Sequence, residues 1–162
     1  MKTAIFPGSF DPFTRGHEAI VEKALHLFDK VIIGIGSNVA KQGLLSVENR
    51  KRLIDDYYAG DARVEAMIYS GMTGDFAQQV GAAAVIRGVR NTTDFDVEYQ
   101  MALINRGIHP ELETLLLPAS AAYQHFSSSM AREMIRYHQP LENYLPASIV
   151  PLVREMTEKK EG

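Results

Sequence analysis

The sequence predicts an α/β fold, a doubly wound parallel sheet of five strands with helices on both faces and further helices toward the C-terminus. Three observations predict it. Short apolar runs rich in Val and Ile show little polar alternation, as strands covered on both faces do. Longer segments between them repeat apolar residues at spacings of three and four, the stripe of an amphipathic helix. Runs and stripes also take turns along the chain with linkers of a few residues, an order that calls for right-handed crossovers between parallel strands.

In chain order, residues 3–6 form the first strand. Over residues 16–29, Ile20, Ala24, Leu27 and Phe28 make one stripe and predict the first helix. Residues 30–35 are the second strand, and Ser46 ahead of Glu48 is the N-cap of a helix ending near Gly60. Strand 63–69 is followed by a short helix over 75–80, stopped at Gly81, and by strand 83–87. Thr92 or Thr93 caps a helix through about Asn105, and residues 114–117 are the fifth strand. A helix over 127–138 is ended by Pro140. After Pro146 a last helix runs to Glu158, Lys159, Lys160 and Glu161, a charged end that reads as a solvated tail. No repeat, low-complexity tract or linker divides the chain, so a single domain over residues 1–162 is expected.

Composition removes several classes of function. The 162 residues are 46% hydrophobic with a net charge of -3, too apolar and too weakly charged for disorder. There is no cysteine, which excludes disulfides, thiolate catalysis and zinc–thiolate sites. The start, MKTAIFPGSFDPF, breaks any signal-peptide core with Gly, Pro and Asp, and no apolar run approaches the ~20 residues of a membrane span. A cytoplasmic protein without membrane contact is expected. Seventeen basic residues against twenty acidic ones exert no global pull on nucleic acid, so any polyanion site must be a local cluster.

Some motifs mislead. Gly34 and Gly36 begin like a dinucleotide fingerprint but lack the third glycine and follow the second strand. Gly36 and Lys41 have Walker-like spacing without the residues required beside the Lys. Asp94, Asp96 and Glu98 resemble a carboxylate metal run, yet on a helix Asp96 points away from the other two, and no metal-ligating residue is assigned.

Three clusters carry chemistry. The first strand runs into Pro7, Gly8, Ser9, Phe10, Asp11, Pro12, Phe13, Thr14, Arg15, Gly16 and His17, a loop framed by Pro and Gly at the carboxyl end of a strand, where open parallel sheets bind ligands. Its glycines let backbone approach a bulky ligand, and the following helix end attracts phosphate. Arg87, Gly88, Val89 and Arg90 close another strand; an Arg there needs an anion, either a phosphate or a carboxylate such as Asp94, Asp96 or Glu98. Ser127, Ser128 and Ser129 open a helix with more hydroxyls than a cap needs. Three anion-suited clusters on one rim point to a polyphosphate ligand.

These residues carry a resemblance. Gly8 to Pro12 with Thr14, Arg15, Gly16 and His17 resemble the (T/H)xGH signature of the nucleotidyltransferase superfamily. Arg87 to Arg90, Asp94, Phe95, Glu98 and the three serines extend it to the bacterial phosphopantetheine adenylyltransferases, from about residue 3 to at least 153. The resemblance implies a Rossmann-like fold, a homohexamer, ATP as cosubstrate with Mg²⁺ held mainly by its phosphates, and adenylyl transfer to 4'-phosphopantetheine, giving dephospho-coenzyme A and pyrophosphate. Feedback by coenzyme A would fall on the same crevice. By position it makes Ser9, Phe10, His17, Gly88, Val89, Arg90, Glu98, Tyr123, Gln124, His125, Phe126, Ser127, Ser128 and Ser129 the ATP contacts. Ser9, Lys41, Thr73 and Arg87 become the substrate contacts, and His17, Lys41, Arg87 and Arg90 the catalytic set. Phe126 stands where an Ile often precedes the serines, Thr73 where a larger apolar residue is common, and Gln42 where a second Lys can follow Lys41. The attacking group is a phosphate monoester, mostly dianionic near pH 7, so no general base is needed. The same motifs occur in transferases acting on nicotinate mononucleotide, and a non-catalytic nucleotide sensor on the same fold is the remaining alternative.

Overall fold

The structure, a computed structural model, describes residues 1–37, 43–123 and 127–158. Its framework is β1 (Thr3–Gly8), α1 (Arg15–Leu25), β2 (Lys30–Gly36), α2 (Val47–Tyr57), β3 (Val64–Tyr69), α3 (Thr73–Gln79), β4 (Ala84–Val89), α4 (Thr92–Ile108), β5 (Glu113–Pro118), α5 (Ser128–Arg136) and α6 (Val150–Glu158). The five strands form one parallel sheet in the order β3-β2-β1-β4-β5, the doubly wound arrangement that the alternating pattern predicts.

Strand pleating sends successive side chains to opposite faces. Ala4 and Phe6 of β1 join Val31, Ile33 and Ile35 of β2 against Ile20, Val21 and Ala24 of α1 and Ile54 of α2. Ile5 and Ile32, one residue out of phase, pack with Phe76 and Ala77 of α3 on the other face. A third cluster joins Leu45 and Leu53 beside α2 to Ala131 and Ile135 of α5 and Val153 and Met156 of α6. The C-terminal helices are thereby fastened to the body through the back of α2. Fully burying one such aliphatic side chain contributes about 1.5–3 kcal/mol, so these three clusters hold the sheet's edges and rim in place.

Local expectations shift at several ends. The cap of α1 is Thr14, two residues before Gly16, and that of α4 is Asn91, whose side chain accepts from the Asp94 amide, so Thr92 and Thr93 lie inside the helix. Ser46 and Ser127 do cap α2 and α5. Gly34 is a packing residue: a Cβ there would come 2.7 Å from the Phe76 ring, which explains a nucleotide-like glycine on the wrong strand. Among the described residues no helix is long and apolar enough to cross a membrane.

Candidate active site

β1 and β4 are neighbours in the sheet, but the chain leaves them toward different faces. Their carboxyl ends therefore part and leave a crevice. A cavity of about 330 Å³ occupies it, and Ser9, His17, Arg87, Gly88, Arg90, Glu98, Tyr123, Ser127, Ser128 and Ser129 all border it. Residues more than a hundred positions apart thus meet at one rim, as the three clusters require.

His17 sits at the third position of α1, where a capping box usually has Glu or Gln. The Thr14 hydroxyl accepts from the His17 amide at 3.2 Å, and the Thr14 amide donates to His17 Nδ1 at 3.0 Å. Nδ1 is therefore an acceptor, which leaves the ring proton of the neutral imidazole on Nε2. Phe6, Phe10 and Phe13 wall the ring, with centroids 6.0, 4.8 and 5.6 Å away. Burial, and then the positive charge of Arg87, push the His17 pKa down to about 3. At neutral pH His17 is a fixed, uncharged N–H donor at the crevice.

The arginines stand differently. Arg87 grips Glu98 with Nε and Nη2, each at 2.8 Å from one carboxylate oxygen, and donates Nη1 to the Pro7 carbonyl. Arg90 donates Nε to Asp94 at 2.9 Å, and this contact holds the Asp94 carboxyl below its ordinary value. Both Arg–carboxylate pairs left open by the sequence are thus formed here, so a phosphate would meet each guanidinium with a carboxylate already on it. Asp94 and Glu98 lie one turn apart on α4 and each takes an arginine, so the apparent carboxylate run does not converge.

On the opposite wall, Ser127 caps α5 by accepting from the Met130 amide, and Ser128 donates to the Pro12 carbonyl at 2.9 Å. The Ser128 and Ser129 amides have no carbonyl partner within α5, an arrangement suited to an anion. Arg132, outside the expected set, borders the same cavity; it donates to the Asp11 carbonyl and to Ser129 Oγ, both at 3.0 Å. Its signal was in the sequence, because four residues after Ser128 is the same helix face.

Thr73 lines an adjoining cavity of about 200 Å³ with Pro7, Gly8, Arg87 and Glu98, so Arg87 and Glu98 stand between two compartments. Its hydroxyl meets Tyr69 Oη at 3.0 Å. Phe10 is buried, with φ of 49°, and packs under His17, so only its backbone can face a nucleotide. Val89 closes β4 beside Pro118 and does not border the main cavity. Lys41, Gln124, His125 and Phe126 fall outside the described residues, as do Gln42 and the tail from Lys159 onward.

Comparison with known proteins adds a family to this geometry. The cytidylyltransferase-like family model matches residues 5–134. The chain is 36% identical over 162 residues to a phosphopantetheine adenylyltransferase of Clostridium perfringens, covering 100% of this chain and 99% of the relative. A phosphopantetheine adenylyltransferase of Rubrobacter xylanophilus is 38% identical with the same coverage. Among solved structures, a Vibrio parahaemolyticus protein, provisionally a nicotinate-nucleotide adenylyltransferase, superposes with a TM-score of 0.75 over 100% of this chain and 98% of its own; at 18% identity that likeness shows the fold alone.

Proposed function

This chain belongs to the phosphopantetheine adenylyltransferase family, and from that membership we infer that it transfers the adenylyl group of ATP to 4'-phosphopantetheine. The products are dephospho-coenzyme A and pyrophosphate. The observation that carries this reading is the neutral, oriented His17 facing a crevice whose other walls supply guanidinium groups and helix-end amides.

On this reading the substrate phosphate attacks the ATP α-phosphorus; the new P–O bond forms as the bond to the pyrophosphate oxygen breaks. His17 Nε2–H donates to an α-phosphate oxygen as its charge grows. Arg87, together with Lys41, holds the attacking phosphate, while Arg90 and the Ser128 and Ser129 amides take the departing β- and γ-phosphates. Ser9 orients both substrates, and Thr73 lines the compartment for the pantetheine arm. Glu98 keeps Arg87 at the crevice through its two-point grip until the phosphate takes the guanidinium over. Among the described residues no group of three or more His, Cys, Asp or Glu could hold a metal ion, and the nearest carboxylates are engaged by arginines. Mg²⁺ would ride mainly on the ATP phosphates with water, because it dehydrates reluctantly, and would supply charge neutralisation to the leaving group.

Assembly belongs to the same proposal. On α4, Val97, Met101, Ile104 and Ile108 form one exposed apolar stripe and Phe95, Tyr99 and Leu103 a second, which supports a homohexamer closed through this helix. Light scattering tests that. Coenzyme A carries the pantetheine arm of the substrate and would compete for the crevice.

Pyrophosphate release from ATP and Mg²⁺, with 4'-phosphopantetheine and nicotinate mononucleotide in parallel, tests the activity. Turnover with phosphopantetheine alone is the expected outcome; turnover with nicotinate mononucleotide alone would overturn it.

A further inference from the structure

Below the crevice lies an ion pair that the proposed chemistry does not use. Asp11 and Arg50 are 4% and 7% exposed, with Arg50 Nε 3.4 Å from Asp11 Oδ1. A buried pair of this kind is a weak source of stability, because desolvation offsets the attraction and well-packed apolar residues often serve as well. Its hydrogen bonds point to another role. Asp11 accepts the Leu44 and Leu45 amides, each at 2.8 Å. Arg50 donates Nε to the Leu45 carbonyl at 2.9 Å and Nη1 to the Ser9 carbonyl at 3.3 Å. Arg132, which borders the nucleotide cavity, donates to the Asp11 carbonyl from the third side. Three segments far apart in sequence are thus tied at one point: the loop after β1, the turn before α2, and α5.

The tie to Ser9 is the informative one. The Ser9 carbonyl belongs to the peptide that enters Phe10, whose φ of 49° lies in the left-handed region that a bulky side chain avoids unless its surroundings impose it. Gly43 packs directly over the pair: a Cβ there would run into the Arg50 guanidinium and the Asp11 carboxylate. Resting on the activity inferred above, we propose that Asp11 and Arg50 are positioning residues for adenylyl transfer. They hold the turn at Ser9 and Phe10, and with it the ring packing under His17, in the geometry that the reaction requires.

Arginine matters here because its rigid planar fork holds two carbonyls from separate nitrogens, whereas a lysine offers a single rotatable ammonium. Arg50→Lys keeps the cation beside Asp11 and gives up one backbone tie. The expected result is a melting temperature within a few degrees of the wild type and a kcat/KM at least tenfold lower, the loss falling mainly on kcat and not on the KM for ATP. Asp11→Asn, which leaves Arg50 without its carboxylate and turns an N–H toward one of the two leucine amides, should melt lower than Arg50→Lys but show the same loss in kcat. If either variant folds like the wild type and turns over within twofold of it, the positioning role is wrong. If neither folds, the pair is a stability element and the proposal is equally overturned. The wild type assayed alongside separates the two levels: its inactivity with 4'-phosphopantetheine would remove the inferred activity itself, whereas an active wild type with unaltered variants removes only the positioning role.

Discussion

On the β1 wall of the crevice His17 is neutral, walled by three phenylalanines and aimed by backbone; on the β4 wall Arg87 and Arg90 are charged and held by carboxylates of α4. The first wall is finished before a ligand arrives. No group among the described residues bonds Nε2–H, so this donor meets an oxygen without giving up a partner there as charge develops. For the second wall we propose that partners are traded, each phosphate gained loosening a carboxylate. Such a trade keeps the cations placed without leaving them unpaired, and it limits the net gain to the difference between two similar contacts. On the proposed activity, the contrast puts rate on the β1 wall and binding on the β4 wall.

The largest effect should come from the finished wall. His17→Ala removes the only donor argued to act mainly in the transition state, and kcat should fall by roughly 10²–10³ with the KM values changed far less. Steady-state kinetics check this; a drop confined to KM would break the division between the walls.

Arg87→Gln tests the other half. It removes a charged contact to the attacking phosphate and strands Glu98, whose side chain is only 13% exposed. A hydrogen bond to a charged group contributes about 1.5–3 kcal/mol, and the Glu98 contact already made without ligand offsets part of it, so the KM for 4'-phosphopantetheine should rise by up to roughly tenfold. Adding Glu98→Gln should restore part of the lost folding stability and none of the affinity, because it relieves the stranded carboxylate but returns no cation. Recovery of KM in the double variant would show that Arg87 serves Glu98 and not the substrate.

The two walls also differ in how far sequence alone reveals them. The alternation of apolar runs and stripes reads the sheet, its five strands and the crevice at the switch point, because burial on both faces leaves a pattern in composition. His17, Arg87, Arg90 and the three serines are legible as residues suited to anions next to glycines or a helix start. What stays hidden is pairing across sequence distance. Neither the arginine–carboxylate alternative at β4 nor the tie between Asp11 and Arg50 can be decided from spacing, since each partner alone reads as an ordinary charged residue. Thr14 shows the same limit. Its place in the (T/H)xGH motif is plain, while its amide bond to Nδ1, which fixes the tautomer, is visible only in the folded chain.

Acid should act on the β1 wall through the coupling of His17 ionisation to folding. His17 keeps its ring neutral in the folded chain down to about pH 3, while the unfolded chain takes up a proton below about 6.5. The unfolded state therefore binds more protons between these limits, and the stability present above pH 6.5 is lost as pH falls through that window. The slope is at most about 1.4 kcal/mol per pH unit for this one group. Chemical denaturation from pH 7 to 5 should show a steeper loss for the wild type than for His17→Gln, and identical slopes would mean that the imidazole is not held neutral.

Asp94→Asn should give the smallest change, and its sign is diagnostic. The Arg90–Asp94 pair spans the start of α4, with Arg90 just before the Asn91 cap, and is partly exposed, a setting in which an ion pair contributes about 0.2–1 kcal/mol, so melting should barely move. If phosphate must displace Asp94 from Arg90, weakening that carboxylate makes the exchange easier, and the KM for ATP should fall by a small factor, more visibly at low ionic strength where exposed charges are least screened. A carboxylate that instead orients Arg90 toward the nucleotide would give the opposite sign. A rise in the KM for ATP would thus turn the β4 wall from one that trades partners into one already built for its ligand, and the contrast with the β1 wall would disappear.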